Sequence, residues 1–133
     1  MKQLTIIATN EPGALADITN PLAERGINVE NIEAEGHGRR GVVVLTVGLD
    51  VYDRALRVLR DETGFKVFTE DALIVRVEDR PGALAEIATR FKDASVNLRS
   101  LHLIGRGGDG FSLASIVADD RALAESLVGD LLA

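Results

Sequence analysis

Two tetrads, Pro12-Gly13-Ala14-Leu15 and Pro81-Gly82-Ala83-Leu84, hold the residue types that build an anion site from backbone alone. A Pro-Gly pair turns the chain into a helix, and the first N–H groups of a helix have no acceptor within it. Gly13, Ala14 and Leu15, and likewise Gly82, Ala83 and Leu84, would present those groups to a carboxylate at the positive end of the helix dipole. Polar side chains flank both tetrads. Asn10 and Asp79 stand two residues before each proline, and Asn28 and Asn97 open the next strand at the far end of each helix. The same side chains admit a purely structural role. Asn10 and Asp79 can satisfy the helix end themselves, and Asn28 and Asn97 can serve a turn.

Other candidate chemistry is weaker. Gly36-His37-Gly38-Arg39-Arg40-Gly41 and Gly105-Arg106-Gly107-Gly108-Asp109-Gly110 both have the form GxGxxG. A dinucleotide site needs a strand before that motif and a helix after it. Here a strand follows each, beginning at Val42 and Phe111, so the glycines read as hairpin glycines. His37 falls in a hairpin and His102 on a strand, at positions that do not match, with no set of acids and cysteines around them for a metal. Ser112 and Ser115 have no nucleophile-elbow context. No catalytic constellation, metal site or cofactor is expected.

The elements that must position the two turns come from a repeat. Shifting the chain by 69 positions, without a gap, brings Leu4 onto Leu73, Ile18 onto Ile87, Asn28 onto Asn97 and Gly36, Gly38 and Gly41 onto Gly105, Gly107 and Gly110. A chain that keeps such a register is two copies of one folding unit. Each copy opens with a strand of period two: Leu4, Ile6, Ala8 and Leu73, Val75, Val77. A helix follows, with Leu15, Ile18, Leu22 and Leu84, Ile87, Phe91 as the inward stripe. Pro21 lies inside the first of these helices and should kink or break it; Arg25-Gly26 should end it. A second strand starts near Ile27 or Val96, with a bulge near Glu30-Asn31 and Arg99-Ser100, where the apolar phase slips. A third strand spans Val42 to Val47 or Phe111 to Val117. A second helix buries Ala55, Val58, Leu59 or Ala124, Leu127, Val128, Leu131. The first copy adds a short strand around Phe65 to Phe68, and the second has no room for one. The expected fold is therefore α+β: two ferredoxin-like βαββαβ units in tandem, residues 1–70 and 71–133, the second lacking its last strand.

The composition narrows the partners. The net charge of -6 over 133 residues argues against nucleic acid, which calls for basic surface. There is no cysteine, which excludes disulfides and thiolate metal sites. No run approaches the ~18 apolar residues of a membrane helix, and the apolar start is too soon broken by Asn10-Glu11-Pro12 for a signal peptide. These points predict a soluble, cytoplasmic protein with no membrane partner. Units this small bury little surface alone, so the copies are expected to pack as a pseudo-dimer. A homodimer is expected as well, because the second copy leaves a sheet edge open and Val42, Val43, Val44, Leu45 and Val47 leave the third strand no polar side.

The runs Asn10-Glu11-Pro12-Gly13-Ala14-Leu15 through Gly26-Ile27-Asn28-Val29, and Glu78-Asp79-Arg80-Pro81-Gly82-Ala83-Leu84 through Val96-Asn97-Leu98, resemble the ACT domain. The resemblance covers nearly the whole chain, twice, and leaves no catalytic domain over. It implies regulatory, allosteric modules that bind amino acids at domain interfaces and pass the signal to a partner enzyme. In serine-sensing members an asparagine two before the proline and another sixteen after it contact the ligand. Asn10 and Asn28 hold those positions in the first copy, Asp79 and Asn97 in the second. The histidine such members carry two residues before the first asparagine is replaced by Ala8 and Val77, which leaves the identity of the ligand open. The resemblance thus points to an amino acid or similar small carboxylate at Asn10, Pro12 to Leu15 and Asn28, and at Asp79, Pro81 to Leu84 and Asn97. The two sites should be unequal, since an ionised Asp79 only accepts hydrogen bonds and repels a carboxylate where Asn10 does not. The alternative is a module that assembles with itself or a partner and binds no ligand.

Overall fold

The computed structural model describes residues 1–106 and 108–133, which divide into two compact units, Met1–Glu70 and Asp71–Ala133. In the first unit, strand β1 (Lys2–Thr9) leads through the Pro-Gly turn into helix α1 (Ala14–Glu24). Strands β2 (Asn31–His37) and β3 (Arg40–Val47) form a hairpin, followed by helix α2 (Tyr52–Glu62) and the short strand β4 (Lys66–Phe68). The antiparallel sheet has the order β2-β3-β1-β4. Leu4, Ile6 and Ala8 alternate along β1, oppose Leu45, Val43 and Gly41, and share a core with Ile18, Leu22, Ala55 and Leu59. Period-two residues of the sheet thus meet one stripe of each helix on a single face.

The second unit repeats the plan with β5 (Leu73–Glu78), α3 (Ala83–Asp93), β6 (Leu98–Arg106), β7 (Phe111–Ala118) and α4 (Arg121–Leu127). Its sheet has three strands in the order β5-β7-β6. Leu132 makes one isolated bridge to Val75, and the Ala133 N–H donates to Ile74 O at 3.0 Å. In the first unit β4 pairs with β1 at the matching place, Val67 opposite Ile6.

Several expectations shift. The first member of the inward helical stripe lies one residue earlier: Ala14 packs on the core with Ile18 and Leu22, while Leu15 is 48% exposed. Ala83, Ile87 and Phe91 are buried in the same way, and Leu84 only partly. α1 runs through Pro21 to Glu24 without a break. The second strand begins at Asn31, not Ile27, and the expected bulge stands at its start: the Glu30 N–H donates to Thr46 O at 2.8 Å beside the Asn31–Thr46 pair, two residues against one. In the second unit the slip is real as well, because the register shifts between Leu98 and Ser100 and leaves Arg99 as the extra residue. α4 ends at Leu127, and Gly129–Leu131 form a 3-10 turn instead of its last turn.

The gapless repeat conceals two shifts that cancel. Leu4 opposes Leu45, but Leu73 opposes Ile116 and not Ala114, the residue a constant offset would place there. β7 is thus displaced by two residues against β5. The first unit spends them after β3, in the 3-10 turn Leu49–Val51 before α2. The second spends them in its hairpin, and Asp120 caps α4 directly by accepting the Leu123 N–H at 3.0 Å.

Candidate functional site

Both Pro-Gly turns place a left-handed glycine at the helix start: Gly13 has φ +89° and Gly82 φ +88°. A side chain would be strained there, which is why the turn needs glycine. No side chain caps α1 or α3. Of the three donors expected at each turn, one is consumed. The Ala14 N–H donates to Glu11 O at 3.3 Å, and the Ala83 N–H to Arg80 O at 3.3 Å. The N–H groups of Gly13 and Leu15 have no acceptor among the described residues.

Asn10 does not cap the helix. Its Nδ2 donates to Gly38 O at 2.9 Å, and its backbone N–H donates to Arg39 O at 2.9 Å, which ties the end of β1 to the β2–β3 hairpin. A cavity of about 500 Å³ lies beside that contact in the first unit. Its walls are Ala8 to Asn10 from β1 and its end, Glu11 to Ala16 from the turn and α1, Ala34 to Gly36 from β2, and Gly41 and Val43 from β3. Among the described residues, Glu11 and Glu35 are the charged ones that line it. Asn28 lies outside it, with Nδ2 3.3 Å from Glu30 Oε1, so the structure does not bring Asn10 and Asn28 to one cavity.

The second unit differs. The Asp79 N–H donates to Gly110 O at 2.9 Å, the counterpart of the bond from Asn10 to Arg39. Asn97 holds a turn: its carbonyl accepts the Asp119 N–H at 3.1 Å, and its Nδ2 lies 3.4 Å from Asp119 Oδ2. Arg99 Nε donates to Asp119 Oδ1 at 2.8 Å and, with a smaller contribution from Asn97, holds that carboxyl below its usual range. The cavity in this unit, about 430 Å³, lies against β5, α3 and the 3-10 turn after α4. Of the second set of predicted residues, only Ala83 borders it.

Sequence reasoning missed the charged groups at that cavity. Arg80 pairs with Glu78 and donates through Nη2 to Glu86 Oε2 at 2.9 Å, which holds the Glu86 carboxyl below its usual range. Arg90 donates to Asp130 Oδ1 at 2.7 Å, to Asp130 Oδ2 at 3.2 Å and to Leu127 O at 3.0 Å. Arg90 replaces Pro21 of the first copy, a signal present in the repeat. Its partner Asp130 falls on Asp61 in the repeat, but Asp61 stands inside α2 while Asp130 follows α4 in the 3-10 turn.

The remaining candidates carry little. His37 and Arg40 oppose each other across a two-residue turn in which Gly38 has φ +63°, as a hairpin glycine requires. Gly107, in the second glycine motif, lies outside the described residues. His37 Nε2 lies 3.5 Å from Glu35 Oε2, and His102 is exposed. Ser112 and Ser115 are buried on β7. Among the described residues no group of His, Asp and Glu could hold a metal, and no helix is long and apolar enough to cross a membrane.

The sequence matches the family model of the ACT domain twice, over residues 2–64 and 72–127. No curated protein matches it. Among solved structures it is similar to protein BT0572 from Bacteroides thetaiotaomicron, at 21% identity and TM-score 0.49 over 99% of this chain and 90% of that one. It is also similar to the regulatory subunit of aspartate kinase from Thermus thermophilus in its ligand-free form, at 22% identity and TM-score 0.48 over 97% of this chain and 91% of the other. The same subunit from Thermus flavus is 22% identical, with TM-score 0.47 over 97% and 90% of the two chains.

Proposed function

The chain belongs to the ACT domain family, and on that footing we propose that it is a regulatory module whose effector is an amino acid bound at the Pro12–Leu15 turn. The observation that carries this reading is the cavity at that turn, with the uncommitted N–H groups of Gly13 and Leu15 at one side and Asn10, Glu11 and Glu35 around it. A carboxylate suits the two N–H groups, which sit at the positive end of α1. An ammonium suits the Glu carboxylates and the Asn10 Oδ1. Ala8, Ala34 and Val43 leave room for a short aliphatic side chain. A volume near 500 Å³ falls within the range of small-ligand sites. With two carboxylates and no cation in the walls, the site disfavours aspartate and glutamate.

The effector signal passes to a partner enzyme, and the chain performs no catalysis of its own. A homodimer is part of the same reading. β2 is an edge strand of seven residues with nearly all of them exposed, Ile32 among them, and such edges are usually covered.

Titration calorimetry against the twenty amino acids is the test. One or more neutral or basic amino acids should bind, and the acidic pair should not. Absence of heat and of a melting shift with all twenty at millimolar concentration would replace this reading with a ligand-free assembly module.

A further inference from the structure

The two cavities differ in charge as well as place. The first has carboxylates and no cation, whereas Arg76, Arg80 and Arg90 all border the second. Two of these arginines are committed. Arg80 holds Glu78 and Glu86, and Arg90 holds Asp130 and the Leu127 carbonyl. Arg76 is not committed in this way. Its nearest carboxylate oxygen, Asp109 Oδ2, is 3.8 Å away, beyond hydrogen-bond range. Its Nε is buried with no acceptor, and its guanidinium lies over the Phe111 ring, 3.9 Å from the centroid. A guanidinium stacked on an aromatic face keeps its N–H donors in plane, pointing outward for a carboxylate.

The backbone beside it is partly uncovered. In the first unit β4 covers the edge of β1 as far as Ile7, opposite Lys66. Arg76 stands at the matching position of β5, but the bridging there ends at Val75 with Leu132. Ile74 O accepts from Ala133 on this edge, so by the alternation of an antiparallel strand the Arg76 and Glu78 backbone groups point to it too, and of these the Glu78 O already accepts the Arg80 N–H at 2.9 Å. Of the apolar residues that border the cavity, Val77 and Ile87 are buried in the core and Leu131 and Leu132 keep exposed surface.

We propose that the second unit carries a separate ligand site, at the Arg76–Glu78 edge of β5 and away from its Pro-Gly turn, that takes a small organic carboxylate with an apolar body. The carboxylate pairs with the outward donors of Arg76, whose guanidinium stays stacked on Phe111, and the apolar body lies against Leu131 and Leu132. The site uses nothing from the Pro12 turn, so failure of amino-acid binding there leaves it standing.

Amide-detected NMR on the full chain tests it, with butyrate as probe and butyramide as the uncharged control. Millimolar butyrate should move the amides of Arg76 to Glu78 and of Leu131 and Leu132, and leave Gly13 and Leu15 in place; butyramide should move none of them. Arg76→Gln should weaken butyrate binding by about fivefold or more, the loss of one charge-assisted contact at a partly exposed site. Arg76→Lys, which keeps the charge, should fall between, and it decides the matter if Arg76→Gln does not fold. The proposal is overturned if butyrate moves no amide of this group, if butyramide moves them equally, or if a folded Arg76 variant binds as the wild type does.

Discussion

A Cβ added to Gly36 would stand 2.8 Å from Asn10 Nδ2, closer than side-chain atoms approach one another. The same Nδ2 is the donor to Gly38 O, so the absence of a side chain at position 36 lets Asn10 reach the hairpin and shape the cavity. The obstacle is the tip of one exposed side chain and not backbone. Gly36→Ala should therefore cost little stability, about 1 kcal/mol or less for one exposed hydrogen bond. It should nonetheless displace Asn10 and remove amino-acid binding at the first turn. Thermal unfolding and calorimetry on one variant check both halves; a variant that binds normally would detach Asn10 from the site.

Gly26 and Ser95 occupy the same place in the two units with unequal strain. Gly26 has φ +68°, and the Ile27 N–H donates to Leu22 O at 2.9 Å. Ser95 has φ +56°, and the Val96 N–H donates to Phe91 O at 2.9 Å. Each helix thus ends in the same left-handed cap, but serine pays a steric penalty that glycine avoids. Ser95→Gly should stabilise the second unit by about 1 kcal/mol, and Gly26→Ala should destabilise the first by a similar amount. A Cβ at Gly26 meets nothing within 4 Å, so the second effect would come from backbone conformation alone. Denaturant midpoints that move the other way would refute the strain argument.

What the sequence reveals and conceals follows from what each signal depends on. The Pro-Gly turns, the strand alternation and the helical stripes depend on local steric and hydrophobic patterns, and these are written in each copy. The two-residue displacement of β7 is invisible because the hairpin and the link to α4 change by opposite amounts and leave the numbering intact. The role of Asn10 was obscured for a related reason. Its acceptor, Gly38 O, is a backbone atom 28 residues away. Glu35 is a polar residue of an edge strand, and only the fold brings it to the turn. The second cavity depends on Arg90 meeting Asp130 across 40 residues, a contact the first copy does not make.

That pair has a measurable pH signature. The Asp130 carboxyl is held below its ordinary 3.8, mainly by hydrogen bonding to Arg90. A depressed carboxylate stabilises the fold above its unfolded value, and that stability is lost as pH falls through the folded value. The wild type should therefore lose stability as pH falls below about 3.8, and Asp130→Asn should show a shallower loss over the same window. Both groups are solvent-exposed, so the difference should be small and should shrink with added salt. Circular-dichroism melts across that window, with and without salt, measure it. Parallel curves for the two proteins would show that the pair contributes nothing.

The charge preference proposed for the first site rests on Glu11 and Glu35, and Glu35 precedes the glycine that leaves room for Asn10. If the cavity reads a ligand ammonium through carboxylates, removing one should act on two quantities in opposite directions. Glu35→Gln should weaken the preferred zwitterionic amino acid by about threefold, within the range of a single exposed charge contact. It should also relax the exclusion of glutamate and aspartate, because one of the two repelling charges is gone. Gln keeps the length and polarity of the side chain, so the fold and the cavity volume should be unchanged. Raising the ionic strength should erase much of the difference between wild type and variant, since exposed charges are screened over about 10 Å at 0.1 M salt. Competition titrations at low and high salt separate these outcomes. Equal loss for acidic and neutral ligands would mean that Glu35 shapes the cavity without reading charge, and a change insensitive to salt would point the same way.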